Sequence, residues 1–226
     1  ERASEAFRAQ GKKVIVILNS GNPMETASWS DCAVAILYAG LAGQNTGNAV
    51  ARILSGEVNP SGKLAISWPT EYSDSPCYEN FPGAGDRVVY EEDIYVGYKY
   101  YDTFGVDVEY PFGYGLSYTT FEYGELQAEQ AEDGSVTLRI SVKNTGSVAG
   151  RESVQIYVGK PDGKLEQPSK QLIAFSKTQT LAPGESETLT MTVTDEELKS
   201  YDEESSAWIV EKGEYIYYAG ASVQDI

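Results

Sequence analysis

The chain has 226 residues, 41% of them hydrophobic and 12% aromatic, with 22 Gly and 9 Pro. That suits one large folded domain or two ordinary ones and excludes disorder as the whole answer. The formal charge is −17, the wrong sign for gripping nucleic-acid phosphates or an anionic membrane, so neither is expected as a partner.

Histidine is absent, which removes Ser-His-Asp and Cys-His catalysis and any His-ligated zinc or haem. Two cysteines, Cys32 and Cys77, are too few for a disulfide framework or a four-cysteine zinc site. They read as two small buried or half-buried thiols, with a bridge between them as the alternative. No metal and no organic cofactor is expected. The longest apolar run, Cys32–Ala39, is too short to span a bilayer. No leader segment is visible; the compartment stays open, with the cytoplasm slightly favoured.

Residues 1–69 read as part of an α/β layer. Ala3, Ala6, Phe7 and Gln10 repeat at helical spacing, and Gly11 is placed to end that helix. Val14–Leu18 is a short unalternating run, mostly β-branched, which predicts a strand buried on both faces, as in parallel sheets. Asn19-Ser-Gly-Asn-Pro23 closes it with turn chemistry. Ala33–Tyr38 predicts a second buried strand, and Asn48–Leu54 a helix stopped by Gly56. The glycine-rich stretch Gly40–Gly47 sits where phosphate loops sit. It matches neither G-x-G-x-x-G nor G-x-x-x-x-G-K-[ST], so a structural turn is expected.

Residues 70–120 form a connecting segment rich in Tyr, Pro, Gly and acids. Nine of the 17 tyrosines lie between Tyr90 and Tyr123. Such rings must pack on neighbours or offer flat faces to a ligand, of which sugars are one kind. Packing is the expectation for most of them.

Residues 121–226 read as all-β. Val136–Val142, Ser153–Val158 and Glu187–Val193 alternate with period two. Leu172–Phe175, Trp208–Val210 and Tyr215–Ala219 add short strands, with turn signals at Asn144-Thr-Gly146 and Ala182-Pro-Gly184. This pattern predicts a β-sandwich of immunoglobulin or fibronectin type III kind. With no cysteine in the segment, the fibronectin type fits better. The fold class expected is therefore α/β plus all-β: a partial parallel-sheet sandwich domain (1–69), a Tyr-rich connection (70–120), and a fibronectin III-like β-sandwich (121–226).

Four stretches carry a specific resemblance. They are Val14-Ile-Val-Ile-Leu-Asn-Ser-Gly-Asn-Pro23, Gly56-Glu-Val-Asn-Pro-Ser-Gly-Lys-Leu64, Ile94-Tyr-Val-Gly-Tyr-Lys-Tyr-Tyr-Asp102 and Tyr110-Pro-Phe-Gly-Tyr-Gly-Leu-Ser-Tyr-Thr119. The chain resembles, over essentially its whole length, the carboxyl-terminal part of glycoside hydrolase family 3 enzymes of the β-glucosidase type. Lys99 stands where the family often has Arg, and Gln167 and Gln171 where it often has Arg and Glu.

The resemblance implies retaining hydrolysis of terminal β-linked sugars from oligosaccharides or glycosides. That chemistry needs two carboxylates about 5 Å apart, a nucleophile and an acid/base. In the family these are an aspartate on a (β/α)8 barrel and a glutamate on a loop upstream of the Val14 strand. Neither is in this chain, so no catalytic residue is assigned to it. Ser30-Asp31-Cys32 echoes the nucleophile's context, but it lies in the wrong domain and has Cys for Trp.

The remaining carboxylate cluster is Glu91-Glu92-Asp93, after Tyr90. Tyr90, Glu91, Glu92 and Asp93 are the substrate-proximal candidates, against the alternative of a solvated acidic loop or domain contact. The expected partners are the remainder of the enzyme, on the same or a second chain, and the glycoside substrate. Two rival readings are a non-catalytic carbohydrate-binding module using the Tyr90–Tyr123 aromatics and a structural or interaction protein.

Overall fold

The computed structural model describes residues 2–226. Helix α1 (Arg2–Ala9) ends before Gly11, whose φ of +69° suits glycine and whose N–H donates to the Arg8 carbonyl at 2.8 Å. Strands β1 (Ile15–Leu18) and β2 (Ala35–Tyr38) pair in parallel, Ile15 opposite Ala35 and Leu18 opposite Tyr38. Helix α2 (Thr46–Leu54) starts at Thr46 rather than Asn48. The Gly40–Gly47 stretch forms a turn with Gly40 and Gly43 at φ +59° and +75°.

The predicted burial of both strands on both faces does not hold. Leu18 alone in β1 is buried, Ile15 is 49% and Ile17 43% exposed, and no residue of β2 is buried. The physical reason is that β1 and β2 form a two-stranded sheet. Helix α1 packs against the 3-10 turn Ser30–Cys32. A parallel sheet is ordinarily covered on both faces, and here the cover reaches only part of it, at Leu18 and at Tyr38, which meets Trp68.

The connection is more ordered than its composition suggests. β3 (Trp68–Pro69) pairs antiparallel with β4 (Val108–Tyr110), and helix α3 (Tyr98–Phe104) lies between them in sequence. Gly97 and Gly105, at φ +61° and +64°, bound that helix. Trp68 is 2% exposed, with Tyr38 and Tyr110 meeting it edge-on at centroid distances of 5.3 and 5.9 Å. This geometry suits aromatic quadrupoles.

The β-sandwich has two antiparallel sheets. In the first, β5 (Phe121–Tyr123) and β6 (Gln127–Gln130) line one side of β7 (Val136–Asn144), and β10 (Ser186–Val193) lines the other. In the second, β8 (Ser153–Gly159) runs between β9 (Gln171–Lys177) and β13 (Ile216–Gly220). Alternation drives the packing: Val136, Leu138, Ile140 and Val142 turn inward from β7, and Leu189, Met191 and Val193 from β10. Val154, Ile156 and Val158 of β8 complete this core.

A short helix, α4 (Asp195–Leu198), is closed by a capping box in which Thr194 and Glu197 bond each other's backbone N–H. It leads to a separate hairpin of β11 (Ser200–Asp202) and β12 (Ala207–Ile209).

Candidate functional site

The α/β part and the sandwich meet at a polar junction built by two motif turns. The Asn59–Leu64 turn supplies Asn59, Ser61 and Lys63. Lys63 Nζ lies 2.8 Å from Glu152 Oε1, with side-chain exposures of only 13% and 7%. Tyr123 donates its hydroxyl to the same Glu152 oxygen at 3.0 Å. Burial first, and the Glu152 charge second, push the Tyr123 phenol far above its ordinary value. Lys177 donates to the Ser61 carbonyl at 2.9 Å. Burial, then the neighbouring Arg151, hold this ammonium below its usual value.

Asn59 works from both ends of its amide. Its Oδ1 accepts from Ser117 Oγ at 2.9 Å and the Tyr118 N–H at 2.8 Å, and its Nδ2 donates to the Ala149 carbonyl at 3.1 Å. Tyr118 donates to the Ile53 carbonyl at 2.8 Å, tying α2 into the same junction.

The Tyr110–Thr119 signature is the second turn. Gly113 N–H donates to the Leu64 carbonyl, and Leu64 N–H to the Tyr114 carbonyl, both at 2.8 Å. Gln155, 5% exposed on β8, donates to the carbonyls of Gly113 at 3.1 Å and Ala221 at 2.7 Å. Its Oε1 accepts from Tyr157 at 2.6 Å. Thr119 donates to Asn144 Oδ1 at 2.7 Å, while Asn144 Nδ2 donates to the Val148 and Leu181 carbonyls. Each buried polar atom named here has a partner, which makes the junction stiff rather than hinged.

Helix α3 adds a third tie. The Tyr98 hydroxyl accepts from the Leu172 N–H at 2.8 Å, and its ring stacks on Phe112 at 4.5 Å. Asp102 pairs with Lys170 at 3.2 Å and accepts from Ser169.

The predicted substrate-proximal residues lie on the loop that precedes α3. Tyr90 is 79% exposed, Glu91 and Asp93 are exposed, and Glu92 is half-buried. The Asp93 N–H donates to the Tyr90 carbonyl at 3.3 Å, and the Tyr95 N–H to the Glu92 carbonyl at 2.8 Å. Asp93 has a φ of +46°, a conformation that Asp tolerates better than most residues. Glu91 borders a shallow hollow of about 230 Å3 with Ser73, Ser75, Tyr78 and Tyr100. The loop therefore places the Glu91 and Asp93 carboxylates at the surface, with Glu92 half-buried between them. Ser30 and Asp31 are elsewhere: Ser30 donates to Glu109, and the Asp31 carbonyl accepts from Arg8.

One contact anchors this loop to the sandwich. Tyr95 donates to Glu166 Oε1 at 2.7 Å. That bond, then burial, push the phenol up to about 12. Because the folded value exceeds the unfolded value of about 10, the contribution is complete below about pH 10 and is lost as pH rises through about 12. Tyrosinate difference absorbance should thus show Tyr95 as one of several late-titrating phenols, alongside buried ones such as Tyr123. Tyr95→Phe removes that one group, and an unchanged alkaline profile in that variant contradicts the assignment.

Sequence reasoning missed Asn59, Lys63, Asn144, Glu152 and Gln155 as junction residues. Gln155 carried a signal, as a polar residue inside the apolar strand Val154–Val158. Lys63 and Glu152 carried none, because their pairing spans the two parts of the chain.

Comparison with known proteins agrees with this architecture. Residues 1–118 match the glycosyl hydrolase family 3 C-terminal domain, and residues 152–223 match a fibronectin type III-like domain. Thermostable β-glucosidase B of Acetivibrio thermocellus is 41% identical across 100% of this chain. An exo-α-(1→6)-L-arabinopyranosidase of Bifidobacterium breve is 39% identical across 98% of it. β-Glucosidase 3B of Thermotoga neapolitana, solved with α-D-glucose, superposes with a TM-score of 0.92 at 48% identity over 98% of this chain and 31% of that one. The chain spans about 30% of the length of the first of these relatives and 29% of the second. No helix among the described residues is long and apolar enough to cross a membrane. On the strength of the matched domain, the chain belongs to glycosyl hydrolase family 3.

Proposed function

We propose that this chain is the non-catalytic portion of a retaining β-glucosidase-like enzyme that releases terminal β-linked sugars from oligosaccharides or glycosides. Its units are the α/β part (1–69), the Tyr-rich connection (70–120) and the fibronectin III-like sandwich (121–226). The observation that carries this reading is 41% identity to a β-glucosidase along the whole chain, over 30% of that relative's length. The nucleophile and the acid/base carboxylate, which must flank the glycosidic bond about 5 Å apart, come from the remainder of the enzyme. The uncovered apolar residues Ile15 and Ile17 support a covering layer supplied by that remainder. The chemistry also fits the arabinopyranosidase relative, so the class of substrate is a neutral terminal pyranose.

In this reading the loop of Tyr90, Glu91, Glu92 and Asp93 approaches the substrate and positions it without reacting. In the assembled enzyme, Glu91→Gln, Glu92→Gln or Asp93→Asn raises KM, by about ten-fold where a charged hydrogen bond is lost, with kcat nearly unchanged. A kcat loss of roughly a hundred-fold or more in one of them would make that carboxylate an acid or base and overturn the assignment. If all three variants keep both constants, the loop is a solvated surface.

A further inference from the structure

The hairpin of β11 and β12 stands apart from both sheets of the sandwich and pairs only with itself among the described residues. Its alternation sorts its side chains. Ser200 and Asp202 turn toward the sandwich and are anchored there. Asp202, 5% exposed, accepts from Lys164 at 3.0 and 3.1 Å and from Ser205 at 2.7 Å. Ser200 accepts from Lys160 and Gln167, both at 3.0 Å. The opposite face carries Tyr201 and Trp208, which sit directly across from each other in the antiparallel pair. Their rings meet at 5.5 Å, and Trp208 is 65% and Tyr201 47% exposed.

We infer that this face is a binding site for a neutral oligosaccharide, with the ring face of Trp208 as the stacking surface and Tyr201 as its support. Four observations select that occupant. An indole this exposed on a scaffold this firmly tied is an aromatic platform whose ordering costs nothing further on binding. The two rings together expose about 200 Å2, far short of the ~800 Å2 per partner of a stable protein interface, but matched to the C–H face of a pyranose. The turn between the strands offers Glu203, an exposed carboxylate that accepts from sugar hydroxyls. The chain's charge of −17 selects against anionic glycans and for neutral ones. The choice of a glycan rests on the glycosidase reading above; the platform itself does not.

The test uses the whole 226-residue chain and tryptophan emission quenched by acrylamide. Trp68 is buried and Trp29 half-buried, so the accessible emission belongs mostly to Trp208. Cellotetraose should lower the quenching constant roughly two-fold, with oligogalacturonate of similar length giving no protection. In Trp208→Phe the cellotetraose effect disappears from the emission. In gels containing a soluble neutral β-glucan the wild-type chain is retarded, and Trp208→Ala weakens that retardation roughly ten-fold. Trp208 is exposed enough for both variants to fold, which their circular dichroism checks.

No protection by cellotetraose, or retardation that survives Trp208→Ala, overturns the proposal. So does a change of native mass in Trp208→Ala, which would assign the face to a protein contact. This assay involves no hydrolysis. A chain that completes an active enzyme yet gives no protection sinks the glycan platform alone.

Discussion

Lys63→Met should destabilise the chain by about 3–5 kcal/mol, because it leaves Glu152 as a buried charge without its counter-ion. The pair sits 2.8 Å apart at exposures of 13% and 7%, beyond the reach of solvent screening that makes surface pairs weak. Only the neutral Tyr123 hydroxyl would still donate to the Glu152 oxygen that Lys63 contacts. The double variant Lys63→Met with Glu152→Gln should recover much of the loss, since both charges then leave the junction together. Urea unfolding of the four proteins closes the cycle. A single-variant shift below about 1 kcal/mol would place this pair with ordinary surface bridges and contradict the account of the junction.

Gly113→Ala should cost a similar amount for a different reason. Gly113 has a φ of +83°, and a Cβ there would sit 2.0 Å from Gln155 Oε1 and 2.6 Å from its Cδ and Nε2. The side chain of Gln155 must then leave the carbonyls of Gly113 and Ala221 and the hydroxyl of Tyr157. Left-handed backbone costs about 1–2 kcal/mol for a residue with a Cβ, and a buried polar group stripped of its partners about 1–3 kcal/mol. The expected loss is therefore about 2–5 kcal/mol. Gly184→Ala is the control: its φ is +84° but a Cβ there meets nothing within 4 Å, so only the backbone part, about 1–2 kcal/mol, applies. Equal losses at the two positions would mean that the close approach to Gln155 contributes nothing.

These two sites show which parts of the molecule were legible in the sequence. The sandwich was, because period-two alternation is a local signal. Val136–Val142 and Glu187–Val193 announced the inner faces that pack as β7 and β10. The short strands β5, β6 and β11 lack that length of alternation and went unread. Helix α3 was hidden by the tyrosines at 98, 100 and 101, which are poor helix formers and are held by Gly97, Gly105 and packing on Phe112 and Tyr157.

The apolar run of β1 was readable as a strand, but its burial depends on layers that periodicity in this chain cannot supply. The junction was legible only as motif letters. The Asn-Pro-Ser-Gly-Lys and Pro-Phe-Gly-Tyr-Gly turns were evident. That their lysine and glycine meet Glu152 and Gln155 on strands far along the chain is a tertiary fact. The loop of Tyr90–Asp93 lies where its sequence neighbours put it, and the approach to substrate proposed for it depends on the remainder of the enzyme.

The central claim is that this chain is structural and becomes part of a glycosidase only with the carboxylates it lacks. Co-expression with the part of β-glucosidase B from Acetivibrio thermocellus that lies outside the matched region tests it most directly. The account predicts that neither polypeptide alone releases p-nitrophenol from p-nitrophenyl β-glucoside, that the pair co-purifies, and that the pair is active. Hydrolysis by the 226-residue chain alone, abolished by a substitution within it, would contradict the account.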